Sequence, residues 1–142
     1  MKEIIVYGAT HLGITVATCL AKKKFIVKIT DGNLNNLNVL LNGKLPIYEP
    51  IIDKLFFNLV KSKKIIIQRF NDLNRQNKTI FFAKDSEKTS KGINLNLFKK
   101  ELLSINSISS KNTDVIVMSQ IPVGTLKSLK QNYKLIFKLN YI

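Results

Sequence analysis

The feature that most constrains the fold is a glycine turn between a short apolar run and an amphipathic segment. Residues Glu3–Tyr7 include three consecutive aliphatic residues and predict a buried strand. They lead into the turn Gly8-Ala9-Thr10-His11-Leu12-Gly13 and then into a helical pattern over residues 12–23. A strand that passes through such a turn directly into a helix is typical of a strand–helix–strand unit in a parallel sheet.

The remainder of the chain continues this alternation. Further strands are predicted at residues 25–30, 64–68, 79–83, 114–118 and 134–138, and helices at 34–41, 51–60, 95–103 and 125–129. The strands are too continuously apolar for one face to lie in water, so helices are expected on both faces. We therefore predict a single α/β domain over residues 1–142. Its expected form is a Rossmann-type, doubly wound, mainly parallel sheet of about six strands, with residues 84–94 as a polar surface loop.

The glycine turn also has the spacing of a dinucleotide-binding fingerprint. Gly8 permits the tight turn, Gly13 lets the helix pack closely on the strand, and the helix N-terminus offers N–H groups to a pyrophosphate. Thr10 stands where a middle glycine is usual, and its side chain either crowds the pyrophosphate or donates to it. Asp31 stands where an acidic side chain bonds the adenosine ribose and favours NAD over NADP. These residues alone also fit a plain turn followed by a helix cap.

The formal net charge of +14 requires an explanation. Lysines are scattered over nearly every segment, and the only arginines are Arg69 and Arg75. Specific readout of nucleic acid favours arginine, so a specific nucleic-acid partner is not expected. Compositional drift in a chain rich in Asn, Ile and Lys, binding of a polyanion, and compensation by an acidic partner remain the alternatives.

Cysteine and histidine content limits the chemistry. One cysteine, Cys19, excludes an internal disulfide and fits a reducing, cytoplasmic compartment. With a single histidine, His11, a zinc site has too few ligands, so no metal is expected. Residues 4–21 carry no charge, but their glycines, threonines and central turn argue against a membrane span or a signal peptide.

Two further motifs carry a family resemblance. Residues 42–50, Asn-Gly-Lys-Leu-Pro-Ile-Tyr-Glu-Pro, resemble the N-G-x-x-P-x-x-E-P loop of UDP-glucose and GDP-mannose 6-dehydrogenases. Residues 119–125, Ser-Gln-Ile-Pro-Val-Gly-Thr, are similar to the S-T-V-P-V-G-T segment of the same family. The resemblance extends from about residue 1 to residue 126, and from Gly8 to Pro50 it needs no gap.

The resemblance implies NAD as cofactor and a set of residues that bind it. His11 would lie against the pyrophosphate or simply be half-exposed in the turn, and Glu49 would hold its own loop to a nearby backbone N–H group. The implied cofactor-binding residues are Gly8, Thr10, His11, Leu12, Gly13, Asp31, Ser86 and Gln120.

The family oxidises the C6 hydroxyl of a nucleotide sugar to a carboxylate in two NAD-linked steps, with a cysteine that carries the aldehyde-level intermediate. In the family that cysteine, a catalytic lysine and the sugar-binding domain all follow the matched region. No catalytic residue is therefore assigned, and Cys19 is interpreted as a small buried residue of the first helix. The chain resembles a truncated member, inactive alone, with a nucleotide sugar as partner only if a C-terminal half is supplied.

Some matched positions depart from the family pattern. Thr10 replaces a glycine, Asn33 and Asn36 replace an acidic residue and a lysine, residues 84–87 replace V-G-T-P, and Gln120 replaces a threonine. These departures favour an alternative, a decayed Rossmann module that acts through a partner surface without NAD. A polyanion-binding protein driven by the basic charge is a third hypothesis.

Overall fold

The computed structural model describes residues 3–75 and 78–142, and it contains a six-stranded parallel sheet. Its strands are β1 (Glu3–Tyr7), β2 (Ile26–Thr30), β3 (Ile65–Ile67), β4 (Thr79–Phe82), β7 (Asp114–Val117) and β8 (Lys138–Tyr141), in the order β3-β2-β1-β4-β7-β8. A separate antiparallel hairpin consists of β5 (Glu87–Thr89) and β6 (Gly92–Asn94). The α-helices are α1 (His11–Lys22), α2 (Leu34–Leu41), α3 (Pro50–Lys61), α4 (Asn96–Ser104) and α5 (Thr125–Asn132).

Successive residues of each strand point to opposite sides of the sheet, so these apolar strands present side chains on both faces. Helices cover both of these faces. Val6 of β1 packs in one core with α1, α2 and α3, where Ile14 and Phe56 are fully buried. Ile5 and Tyr7 of the same strand pack in the other core, with α4 and α5. The predicted α/β class and doubly wound parallel sheet are confirmed.

The strand order places a topological switch point at β1. Strand β1 pairs with β2 on one side and with β4 on the other, so the carboxyl ends at Tyr7, Thr30 and Phe82 lie side by side. The chain leaves β1 and β2 toward one face of the sheet and β4 toward the other. A crevice opens at such a point in doubly wound sheets, and ligands bind there.

Three local predictions were wrong. The last strand begins at Lys138, four residues later than expected, because α5 continues to Asn132. Residues 84–94 are not a simple surface loop, since they include the β5–β6 hairpin, and Lys84 is buried. Cys19 is exposed rather than buried. Over residues 3–75 and 78–142, no helix is long and apolar enough to cross a membrane.

Candidate functional site

The glycine turn after β1 is held by close backbone contacts. Gly8 has a φ of 127°, and a Cβ there would lie 2.6 Å from the carbonyl oxygen of Ala83. A Cβ on Gly13 would overlap the carbonyl oxygen of Gly8. The two glycines therefore bring α1 onto the end of β1, as the sequence predicts, and the N-terminus of α1 lies at the switch point.

Thr10 is the N-cap of α1 and uses its hydroxyl twice. The oxygen accepts a hydrogen bond from the N–H of Gly13 at 3.1 Å, and the hydroxyl donates to the carbonyl oxygen of Ala83 at 2.7 Å. This side chain thus stabilises the turn and links it to the end of β4. The N–H groups of His11 and Leu12 belong to the first helical turn, where no helix carbonyl is available to them.

His11 connects the glycine turn to the loop before α3. Its Nε2 lies 3.2 Å from Oε1 of Glu49, and both side chains are about half exposed. Glu49 therefore contacts a side chain, not the backbone N–H group that the sequence predicts. The pair brings the proline-bounded loop of residues 42–50 beside the first turn of α1, at the place where a pyrophosphate would bind.

Asp31, at the end of β2, is completely buried and accepts four hydrogen bonds. Oδ2 accepts from the N–H of Ala9 at 2.8 Å and from Nδ2 of Asn36 at 3.3 Å. Oδ1 accepts from the N–H of Asn33 at 2.8 Å and from Nζ of Lys84 at 2.9 Å. An ionised carboxylate has about four acceptor positions, so every one of them is used within the protein.

Lys84 is a member of this cluster that the sequence did not predict. Its side chain is 9% exposed, and Nζ lies 2.9 Å from Asp31 and 3.5 Å from Oε1 of Glu101, on α4. A lysine that follows a strand is usually exposed to solvent. The one sequence signal for a buried partner is Glu101, an acidic residue within a predicted helix. The ends of β4 and β2 and the helix α4 are therefore joined through one buried ammonium group.

Glu101 lies deep in this cluster. Burial raises the pKa of its carboxyl group above the usual value, while the nearby Lys84 ammonium opposes the shift. Its Oε2 has no hydrogen-bond partner among the residues that the structure describes. Burial also raises the pKa of Tyr7 well above its usual range, and the Glu101 carboxylate adds to the effect. Gly32 lies close to both side chains, since a Cβ there would be 2.6 Å from the Tyr7 hydroxyl and 2.7 Å from Oε1 of Glu101.

A second group of predicted residues lines the crevice on the other side of α1. Ser86 donates from its hydroxyl to the carbonyl oxygen of Gln120 at 2.6 Å, which joins the loops after β4 and β7. With Leu12 and Ser119 they line a cleft of about 530 Å³. The Ser119 hydroxyl is buried, and it has no partner within residues 3–75 and 78–142.

The structure thus brings the eight predicted residues to one edge of the sheet in two parts. Gly8, Thr10, His11, Leu12 and Gly13 form the turn between a closed cluster around Asp31 and an open cleft beside Ser86 and Gln120. The open cleft fits a dinucleotide, because the N-terminus of α1 lies beside it and a helix N-terminus binds phosphate groups. In the described part of the chain, no three His, Cys, Asp or Glu residues are grouped as metal ligands.

Comparisons with known proteins agree with this geometry. Residues 2–138 match the model of the UDP-glucose/GDP-mannose dehydrogenase family, NAD binding domain. A comparison of the sequence with curated proteins finds no match.

Solved structures of three enzymes resemble the chain in fold. The UDP-D-ManNAc dehydrogenase from Pyrococcus horikoshii has a TM-score of 0.83 at 18% identity, over 98% of this chain and 35% of its own length. The UDP-N-acetyl-mannosamine dehydrogenase from Staphylococcus aureus has a TM-score of 0.79 at 20% identity, over 99% and 36%. The GDP-mannose dehydrogenase from Pseudomonas aeruginosa has a TM-score of 0.76 at 18% identity, over 99% and 35%.

The chain therefore spans about a third of the length of these solved structures. A six-stranded doubly wound sheet, a glycine turn at its switch point and a family model matched over residues 2–138 all agree. The chain belongs to the UDP-glucose/GDP-mannose dehydrogenase family, and it corresponds to the NAD-binding domain of that family.

Proposed function

We propose that this chain supplies the NAD-binding part of a nucleotide-sugar 6-dehydrogenase, which oxidises the sugar C6 hydroxyl to a carboxylate. The observation that carries the proposal is the N-terminus of α1, which begins at the switch point and opens on the cleft of about 530 Å³. NAD, when bound, supplies the hydride acceptor for such an oxidation. The chain's own residues bind and orient it.

Three parts of the candidate site contribute to this binding in different ways. The first-turn N–H groups of α1, with no acidic side chain among them, offer donors and a partial positive charge to a pyrophosphate. The Ser86–Gln120 hydrogen bond keeps the two loops at a fixed separation on either side of the cleft. Ser119 also lines this cleft, with its hydroxyl buried and without a partner among the described residues.

Oxidation of a sugar requires groups beyond those that line this cleft. Cys19 lies eight residues after His11 on α1, about 12 Å along the helix axis, and is exposed on the helix surface. It is therefore too distant to act on a substrate in the cleft. We propose that the chain alone binds NAD without turnover, and that a sugar-binding half supplies the substrate and the nucleophile.

The test is a titration of the purified chain with NAD, followed by calorimetry and by protein-detected NMR at two salt concentrations. We expect saturable binding with perturbed resonances in the turn of residues 8–13 and in the loop that contains Ser86. The matched variants are Leu12→Asp and Leu12→Asn. The carboxylate suits a helix N-terminus but repels a pyrophosphate, so only Leu12→Asp should weaken binding by about tenfold or more.

One observation favours a second function, an interaction module that does not bind NAD. The acceptors of the Asp31 carboxylate are already used by Ala9, Asn33, Asn36 and Lys84, which leaves none for a ribose. A folded chain that shows no binding at millimolar NAD would support this function and contradict the first. Binding that collapses steeply with salt, whatever the anion, would instead indicate a polyanion binder.

A further inference from the structure

The fold collects six lysines at the edge of the sheet where the strands begin. Helix α1 ends at Lys22 and helix α3 ends at Lys61, and these helices lead into β2 and β3. The two strands pair in parallel, and the N–H of Val27 donates to the carbonyl oxygen of Lys64 at 2.9 Å. The lysines before the two strands therefore lie side by side. We name this surface the lysine edge, and its members, all exposed, are Lys22, Lys23, Lys24, Lys61, Lys63 and Lys64.

Acidic side chains do not offset this charge. Residues 4–30 and 54–71 contain none. Glu3, at the start of the neighbouring β1, is already paired, since its carboxylate oxygens lie 2.9 Å from Nζ of Lys28 and 3.7 Å from Nζ of Lys78. Within residues 3–75 and 78–142, the ion pairs do not include any lysine of the lysine edge. The surface therefore presents an unpaired positive charge to solvent.

Two members of the lysine edge have a backbone conformation that is unfavourable for lysine. Lys24 has a φ of 68° and Lys63 a φ of 58°, and in the described part of the chain they are the residues other than glycine with positive φ. Each follows the C-cap of a helix, and their N–H groups donate to the carbonyl oxygens of Ala21 and Val60. Glycine or asparagine is usual at this position, because a Cβ strains the left-handed backbone. Such strain is often kept where a side chain serves a function.

The composition of the lysine edge favours duplex nucleic acid, held by its phosphates. Lysine binds phosphate as a point charge, whereas readout of bases favours arginine. A single strand is usually held by exposed aromatic side chains, and a membrane surface by exposed apolar ones. Residues 22–26 and 61–65 expose neither, since Phe25 is half-buried and Ile65 is buried. A duplex carries one negative charge per about 1.7 Å of its length, so cations are sufficient to bind it.

We propose that the lysine edge binds duplex nucleic acid through the phosphate backbone, without preference for sequence. This function is separate from the proposed NAD function, because β2 runs from the lysine edge to Asp31 and its five residues span about 17 Å. The two ligands therefore bind at the same time. With six phosphate contacts, the logarithm of the affinity falls with the logarithm of the salt concentration with a slope of about −5.

The first test titrates the intact chain into a fluorescein-labelled DNA duplex of about 20 base pairs and follows fluorescence anisotropy at several salt concentrations. We expect a Kd of about 1–100 µM at about 0.1 M salt, with the steep slope given above. Duplexes of different sequence should bind equally well. An excess of NAD should leave the affinity unchanged, since the cofactor site lies at the other end of the strands.

The second test removes the two strained lysines. The double variant Lys24→Asn with Lys63→Asn should weaken duplex binding about tenfold and make the salt slope shallower by about 2. Urea denaturation should find it at least as stable as the wild type, because asparagine tolerates the left-handed conformation. The matched control is Lys127→Gln with Lys130→Gln, on the exposed surface of α5. Each double variant lowers the net charge of +14 by two, and the control should change the affinity less than about twofold, because salt screens distant charges.

The possible outcomes decide between partners and between sites. A folded chain that does not bind the duplex at about 1 mM would overturn the proposal. Equal weakening by the two double variants would also overturn it, since attraction by overall charge would then explain binding. Tighter binding to phosphatidylserine vesicles than to the duplex would assign the lysine edge to a membrane instead. Displacement of the duplex by NAD would place it at the cofactor site. A chain that binds the duplex but not NAD would contradict the proposed function alone and support this one.

Discussion

The turns after β1 and β7 have similar places in the fold, yet they differ in how tightly they are held. Each joins a buried strand to a helix and contains a glycine with positive φ, 127° at Gly8 and 87° at Gly124. At Gly8 an added Cβ would meet the backbone of Ala83, whereas at Gly124 it would meet nothing within 4 Å. Thr10 caps α1 with a side-chain hydrogen bond, and α5 has no such cap.

This difference shows that two glycine turns at the ends of parallel strands can be held in place for different physical reasons. The first turn is fixed by its neighbours, because β1, β4 and α1 meet there at backbone distance. The second turn is set mainly by its own dihedral angles, and Val123 is fully exposed beside it. We expect substitutions in the first turn to be costly and comparable substitutions in the second to be mild.

The largest difference in stability should come from alanine substitutions at one glycine of each turn, Gly13 and Gly124. Gly13→Ala forces a methyl group into the carbonyl oxygen of Gly8, so we expect a loss of about 3 kcal/mol or more in the free energy of unfolding. Gly124→Ala meets only the cost of the left-handed conformation, about 1–2 kcal/mol. Urea denaturation of both variants measures the difference, and equal losses would contradict the contrast.

Removal of a lysine should distinguish the two turns nearly as sharply. Lys84→Met leaves the buried Asp31 without its cation, so we expect a loss of about 3 kcal/mol. Lys127→Met, on the exposed surface of α5 beside the second turn, should change stability by less than about 0.5 kcal/mol. Thermal unfolding of the two variants measures the difference. Equal melting temperatures would contradict the claim that Lys84 stabilises the buried cluster.

Threonine to valine should give a smaller difference. Thr10→Val removes two hydrogen bonds, the cap to Gly13 and the donation to Ala83, and should cost about 1–2 kcal/mol. Thr125→Val removes one, the donation to the carbonyl oxygen of Pro122, and should cost about 1 kcal/mol. A larger loss at Thr125 in chemical denaturation would reverse the ranking of the two turns.

The smallest effect should be a pH dependence at the buried cluster beside the first turn, where Glu101 of α4 lies near Lys84, whereas residues 119–125 contain no acidic side chain. The raised pKa of Glu101 means that the folded chain holds this proton more tightly than the unfolded chain. The stability that Glu101 contributes is therefore present below its ordinary pKa of 4.5 and is lost as pH rises through the folded value.

Glu101→Gln provides the measurement, because glutamine does not titrate. The free energy of unfolding of the wild type, relative to this variant, should fall as the pH rises from about 4 to about 7. A difference that stays flat or grows over that range would mean that burial does not raise the pKa of this carboxyl group.

The fold could be predicted because its signals are local. The continuous apolar strands and the glycine turn predict the sheet, and β1, β2 and β4 lie where expected. The end of the chain is harder to predict, since residues 133–139 contain two lysines among apolar residues and do not show where the strand begins. Pairing with β7 resolves this, because Asp114 lies opposite Lys138 in the parallel register.

The candidate site could be predicted only in part. The residues of the turn follow from spacing, and Asp31 follows from its place after β2. The partners of Asp31 do not follow from the sequence, because Lys84 lies 53 residues away and its ammonium group meets acidic side chains only in the folded chain. A lysine is rarely buried unless the tertiary fold brings an acidic side chain beside it, and a local sequence pattern does not predict such a pair.

The pairing of Lys84 with Glu101 also constrains how this domain can change over generations. Loss of the lysine alone leaves a carboxylate buried without its cation, and loss of the glutamate alone removes a support of the ammonium group. Either single change passes through a less stable protein, so substitutions at the two positions should be inherited together. Relatives that carry lysine after the fourth sheet strand should therefore carry an acidic residue on the helix packed above it.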